Sequence, residues 1–255
     1  MNTNLLKGIL LSFLVFSSSY AAPKTDLSIQ LIPDSLSKNA YSVVRFSTCE
    51  YTYVSTVSAS ARFSYAVSVL TKDGISESYF IENGDKSTKL SKFRATLVDG
   101  TGKTIKTFGK SDIGTSAVSS HLATDNFKYY LDFTEPVLPF TMLYEYEMEY
   151  TGGIFQFPAF LPVSSFNQSV QQAVYTLNTP SATQIQLKTR NFNGSFSENE
   201  VKGTTTRTWT LKNFKPVEYE RFAPGFWDYM PGVLSSPVEF EFDKTKGVLS
   251  NTQTI

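Results

Sequence analysis

Ten consecutive residues, 141–150, alternate without a break. Met142, Tyr144, Tyr146, Met148 and Tyr150 fall on one side, and Leu143, Glu145, Glu147 and Glu149 on the other. A period of two sustained this long predicts a β-strand with one buried and one wet face, because a helix would scatter these aromatics around its circumference. Most of the chain offers partners. Residues 41–48 set Val43 and Arg45 against Val44 and Phe46, and the pattern continues through Tyr51, Tyr53 and Val54. Residues 61–70 set Phe63, Tyr65, Val67 and Val69 against Ser64, Ala66 and Ser68, before a Lys72-Asp73-Gly74 turn. Residues 93–108 read as a hairpin about Asp99-Gly100-Thr101-Gly102, since Asp-Gly supplies the positive-φ positions a tight turn requires.

Further strands are predicted over 127–133, 169–177, 183–192, 204–211 and 238–242. Ile185 and Leu187 alternate with Gln184, Gln186 and Lys188; Arg207, Trp209 and Leu211 alternate with Thr206, Thr208 and Thr210. Residues 27–31 read as a short strand stopped by Pro33, residues 75–90 as a short helix or loop, and the Ser- and Thr-rich residues 110–125 as a surface loop. Pro158 and Pro162 make 155–166 an irregular crossing rather than a ladder strand. About nine or more strands at roughly ten-residue spacing, with little helix, predict an all-β fold: a large antiparallel β-sandwich of two stacked sheets.

Composition supports sheet and narrows function. Phe (21), Tyr (14) and Trp (2) are abundant while charged residues make up only 18% of the chain, a balance suited to pleated, half-buried surfaces. With 23 basic and 23 acidic residues the formal net charge is zero, which gives no footprint for nucleic acid and no polybasic patch for a membrane surface. At the N-terminus, Lys7, an apolar run from Gly8 to Phe16 and the small residues Ser19 and Ala21 form the pattern of a secretory signal, expected to occupy residues 1–21. The expected mature protein, 22–255, then carries 22 − 23 = −1, lies in the periplasm or outside the cell, and has no transmembrane anchor. Cys49 has no second cysteine to pair with, so stability must come from a packed core.

No catalytic constellation is visible. The one nucleophile–base pair available would be Cys49 with His121, but Cys49 lies in a strand-like run and His121 in a Ser-rich stretch, neither within a recognisable signature. The expectation is therefore no catalytic residue, no metal site and no cofactor. Glu145, Glu147 and Glu149 lie about 7 Å apart on one strand face and could clamp a cation or meet a basic partner; the solvated face of an amphipathic strand is the simpler account and the one expected. The strongest binding candidate is the aromatic loop Phe226-Trp227-Asp228-Tyr229-Met230 between Pro224-Gly225 and Pro231-Gly232. Phe226, Trp227 and Tyr229 there would make a sugar-stacking platform or a protein-docking hot spot, unless the loop folds them onto the core.

Several motifs resemble the DUF3857 domain in order and spacing. They are the stretch from Asp34 through Ala40 to Val43-Val44-Arg45, the hairpin at 93–108 with Lys110-Ser111-Asp112-Ile113 after it, the Pro-led strand from Pro139 to Tyr150, and a closing pattern of Glu218 or Glu220, Pro224, Pro231 and Val233. The resemblance runs from about Ser28 to Phe242. It implies a bacterial extracytoplasmic β-domain of the kind found N-terminal to transglutaminase-like domains with a papain-type site. The chain runs to Ile255, about where the lead into such a domain would begin, so no transglutaminase or protease residues carry over. The expected function is a secreted, non-enzymatic module that binds or positions a transglutaminase- or protease-like protein. The alternatives are a carbohydrate- or peptide-binding module using the aromatic loop, a cryptic hydrolase, or the remnant of a split transglutaminase-like protein.

Overall fold

The computed structural model describes residues 26–117, 125–242 and 244–249; the signal-like segment and His121 lie outside them. The first two long strands, β1 (Ser42–Ser55) and β2 (Ser58–Val69), form a hairpin. A 3-10 turn over Lys72–Ser78 leads to a short strand, β3 (Ile81–Gly84), and then to β4 (Thr88–Asp99) and β5 (Thr104–Gly109), which form the hairpin expected at Asp99-Gly100. The next strands are β6 (Ile113–Ala117), β7 (Phe127–Leu131) and β8 (Phe140–Tyr150), the last being the alternating run. After an irregular crossing come β9 (Gln168–Pro180), β10 (Ile185–Arg190), β11 (Ser195–Val201) and β12 (Thr204–Phe214). The chain closes with β13 (Gly232–Pro237), β14 (Glu239–Phe242) and β15 (Thr245–Val248).

Eight of these strands make one sheet in the order β11-β12-β9-β1-β2-β8-β4-β5. The fold is all-β. Every pairing in the large sheet is antiparallel except β1 with β9, which run parallel with Ser42 opposite Gln168. The second layer is assembled from smaller pieces: the sheet β3-β7-β6, the pair β10-β13, and the crossing between β8 and β9. They cover one face of the large sheet, and the main core lies between.

Strand β8 shows why the layers close. It sits between β2 and β4, with Tyr144 opposite Tyr65 and Ala95, and Met142 opposite Val67 and Leu97. Met142, Tyr144, Tyr146 and Met148 are all buried against the second layer. The Phe80 ring, just ahead of β3, stacks on Tyr144 at 5.5 Å and meets Tyr146 edge-on at 5.1 Å; such pairs contribute roughly 0.5–1.5 kcal/mol each beyond area burial. Tyr144 satisfies its buried hydroxyl by donating to the Ser78 carbonyl at 2.6 Å. On the opposite face Glu147 accepts from Arg62 (3.3 Å) and Lys92 (3.0 Å), and Arg62 also reaches Glu50 (3.0 Å). Burial pushes Glu147 up, but the hydrogen bonds from Lys92 and Arg62 outweigh it and hold the carboxyl below its usual range.

Three local readings need correction. Phe46 does not share a face with Val44, because the β1–β2 register slips between them. The extra residue turns Phe46 onto the outer face, where it packs with Leu27, Ala66 and Val98. The opening segment is not a strand but a 3-10 turn, Ile29–Leu31, followed by one helical turn, α1 (Asp34–Ser37). Its main chain is held by a side chain rather than a ladder: buried Arg45 donates through one nitrogen to the Leu27 and Ser28 carbonyls, both at 3.1 Å. Ile32, Leu36 and Ala40 of this segment then cover Val43 on the outer face. Within the stretch expected to be a surface loop, residues 113–117 are strand β6; residues 118–124 lie outside the described residues.

Candidate functional site

The aromatic loop expected at 226–230 forms one helical turn, α2 (Phe226–Tyr229), behind Gly225. It is held from below by the end of β10. Arg190 donates to the Trp227 carbonyl at 3.2 Å, and Asn191 donates to the Asp228 carbonyl at 2.8 Å. Met230, at its end, is buried in the main core. The loop is therefore anchored at its base and along its backbone.

Its three candidate side chains divide. Phe226 turns inward and meets Phe166 edge-on at 5.3 Å. Trp227 and Tyr229 turn outward, 50% and 40% exposed. Two aromatics upstream, not singled out by the sequence reading, extend the exposed surface. Tyr219 is 68% exposed and packs edge-on against Phe166 at 5.5 Å, and Phe222 is 92% exposed. Phe222 also has a φ of 68°, in the left-handed region that costs a bulky L-residue energy. Arg221 lies over its ring at 5.0 Å. Their sequence signal was weak: Glu218-Tyr219-Glu220-Arg221-Phe222 mixes charge and aromatics with no clear strand or helix period.

Half-buried Phe166 and Phe226 thus lie under exposed Tyr219 and Trp227, with Tyr229 and Phe222 exposed in the same segment. An apolar surface on a braced backbone loses little entropy on contact, which suits it to docking.

The other candidate chemistry is not poised. Cys49 faces inward among the core aromatics; burial pushes its thiol up, and Glu82 and Glu50 push it further, so it is held protonated rather than as a thiolate. His121 lies outside the described residues. Glu147 of the glutamate stripe is engaged by two cations, while Glu145 lies opposite Arg94 and Glu149 opposite Lys89. Among the described residues no group of three or more metal-ligating side chains converges. No helix there is long and apolar enough to cross a membrane.

Comparison with solved structures finds a candidate protease from Parabacteroides distasonis. It is 15% identical, with a TM-score of 0.64, over 77% of this chain and 40% of that one. At that identity the likeness is one of fold. An M1 zinc metallopeptidase from Deinococcus radiodurans aligns over 77% of this chain and 42% of its own length, at 11% identity and a TM-score of 0.36, too low to carry an argument. The chain thus spans less than half the length of either. No curated protein matches it. The model of a family described as a domain of unknown function with a solved structure, DUF3857, matches residues 57–218, well over half of the 255 residues. That stretch runs from the β1–β2 turn to the start of the aromatic loop, and leaves the Asp34–Arg45 motif and the closing Pro224 and Pro231 outside it. On that match, the chain belongs to the DUF3857 family.

Proposed function

We propose that this protein is an exported, non-enzymatic docking module whose aromatic rim binds a protease- or transglutaminase-like partner. The observation that carries the reading is the exposure of Trp227 and Tyr229 on a turn fixed by Arg190 and Asn191, extended by exposed Tyr219, which shares Phe166 with Phe226, and by Phe222 in the segment between. Monomeric surfaces seldom gather large aromatics this way, and protein interfaces are enriched in them at their energetic centres. The partner class is supported by the fold shared with a candidate protease in which the matching part is 40% of a longer chain. The protonated, inward-facing Cys49 supports a role that does not depend on its own nucleophile.

The test is a binding titration of the mature chain against a separately expressed transglutaminase- or protease-like domain from the same source, with Phe222→Ala/Trp227→Ala as the variant. Saturable binding is expected, weakened at least tenfold by the double substitution, as for truncated interface anchors. No association at micromolar concentration, or an affinity indifferent to both substitutions, would remove the proposal. If hexasaccharides or short peptides bind in a Trp227-dependent manner instead, the loop is a ligand platform rather than a protein-docking surface.

A further inference from the structure

A second feature lies away from the aromatic rim. Where β8 ends, the chain runs through residues 152–156 without entering a ladder and walls a cleft of about 640 Å³. That volume is within the range of binding sites for small ligands and short peptides. The facing wall is the turn at residues 85–88, and Phe155 and Phe242 stand at the rim.

The main chain along this wall is half used. Thr151 donates to the Ser87 carbonyl at 2.8 Å, Ile154 to the Thr56 carbonyl at 2.8 Å and Phe157 to the Ser235 carbonyl at 3.0 Å. The amides of Gly152, Gly153, Phe155 and Gln156 have no protein partner among the described residues. The two glycines are required by the path. A Cβ on Gly152 would meet the Ser87 side chain at 2.7 Å, and one on Gly153 would collide with the Glu241 carbonyl. Unpaired main-chain amides on a segment that belongs to no ladder can donate to the carbonyls of a bound peptide, whereas a sugar depends more on side-chain donors.

Side chains lining the cleft add a second, independent set of donors. Tyr51 and Tyr150 both line it, with ring centroids 5.7 Å apart, and neither hydroxyl donates to a protein acceptor among the described residues, nor is either oxygen sealed from solvent. Tyr51 is otherwise almost wholly buried. Both hydroxyls are thus free to meet a bound group rather than being orphaned in the core. Asp85 is not available to either hydroxyl, because it caps its own turn by accepting from the Ser87 and Thr88 amides at 2.6 and 2.7 Å.

We propose that this cleft takes an extended peptide, which pairs its main chain with residues 152–156 and sets a side chain ending in an oxygen acceptor against the Tyr51 and Tyr150 hydroxyls. Glutamine, asparagine or a carboxylate fits that description; an aliphatic side chain leaves both hydroxyls unmatched. Phe155, 41% exposed and packed against Phe240 at 5.0 Å, would flank the peptide at the rim.

The experiment is an NMR titration of the full mature chain, labelled with ¹⁵N, using capped hexapeptides that differ only in a central Gln, Glu, Leu or Lys. The Gln or Glu peptide is expected to shift the amide signals of Gly152, Gly153, Phe155 and Gln156 saturably, and to bind more tightly than the Leu and Lys peptides. Tyr150→Phe, which keeps the ring and its packing, should weaken that binding about fivefold, the worth of one hydrogen bond. Phe222→Ala/Trp227→Ala should leave it unchanged, which separates this site from the aromatic rim. Absence of saturable shifts at those four amides with every peptide overturns the proposal. So does binding insensitive to Tyr150→Phe, or a response at these amides to hexasaccharides alone.

Discussion

Tyr144 and Trp227 both come from stretches dense in aromatics, and they end on opposite sides of the solvent boundary. Tyr144 sits in the middle of an eight-stranded sheet, its ring enclosed by Phe80, Phe93 and Tyr65 and its hydroxyl donated to Ser78. Trp227 sits on a single helical turn, half exposed, with its backbone rather than its indole ring secured. The difference comes from periodicity. In β8 every second residue is apolar, so the strand delivers its aromatics to one face and a neighbouring layer can cover all of them. Around 219–229 the aromatics follow no period, so one backbone path cannot bury them together. Phe226 goes inward and the remainder are left at the surface.

The largest expected effect breaks this comparison on the core side. Tyr144→Ala removes a fully buried ring from the centre of the aromatic cluster and should destabilise the fold by about 3–5 kcal/mol, the usual range for truncating a buried aromatic. Trp227→Ala should stay within about 0.5 kcal/mol of the native protein, because its ring is largely in solvent. Urea unfolding midpoints compare the two directly. Equal losses would mean that the loop is a structural clamp and that its exposed rim is incidental.

How much of this was legible in the sequence follows the same line. Strands with one buried face announced themselves: β2, β8 and β12 place Phe63 and Tyr65, Tyr144 and Tyr146, and Trp209 and Leu211 on the faces their alternation assigned. Strand β11 was missed because all seven of its residues are exposed, so nothing in Ser195–Val201 needed to alternate. The side of Phe46 was misread because a single extra residue at the slip after Val44 inverts everything beyond it, and no residue type marks the slip. For the candidate site, the cluster at 226–230 could be seen, but which of its rings would face water could not. That depended on Arg190 and Asn191, nearly forty positions away in the chain. The cleft beside Tyr51 had one sequence trace, the Gly152-Gly153 pair, and that pair reads equally well as a simple strand stop.

A smaller effect sharpens the comparison from within the core. The aromatic face of β8 meets a carboxylate from β3: Glu82 accepts from the Tyr146 hydroxyl at 2.6 Å. Burial raises the Glu82 carboxyl above its ordinary value of 4.5, against the opposing pull of the hydrogen bonds from Tyr146 and the Asn83 backbone. The folded protein therefore keeps this proton to a higher pH than the unfolded chain does. The stability it contributes is present below pH 4.5 and is lost as pH rises through the window from 4.5 to the raised folded value. Glu82→Gln keeps a neutral acceptor for Tyr146 and removes the titration. The variant should gain stability relative to the native protein as pH rises through that window, read as diverging urea midpoints at a series of pH values. Parallel curves would mean that Glu82 is as well solvated when folded as when unfolded. Glu147 is lowered and contributes with the opposite sign, but it is common to both proteins and cancels in the difference.

The smallest effect concerns the outermost residue of the rim. Phe222 holds a φ of 68° while 92% of its surface is exposed, so its ring gains little burial to offset the backbone strain. Asparagine enters the left-handed region far more readily, because its short polar side chain can hydrogen-bond locally. Phe222→Asn should therefore raise stability slightly, by at most about 1 kcal/mol, or a few degrees in melting temperature. If the rim is a docking surface, the same substitution should weaken partner binding while the fold becomes more stable. A variant that is both less stable and unchanged in binding would show that Phe222 supports the loop itself. A variant that is more stable and binds less tightly would identify strain kept for contact, a cost the buried aromatics of β8 do not carry.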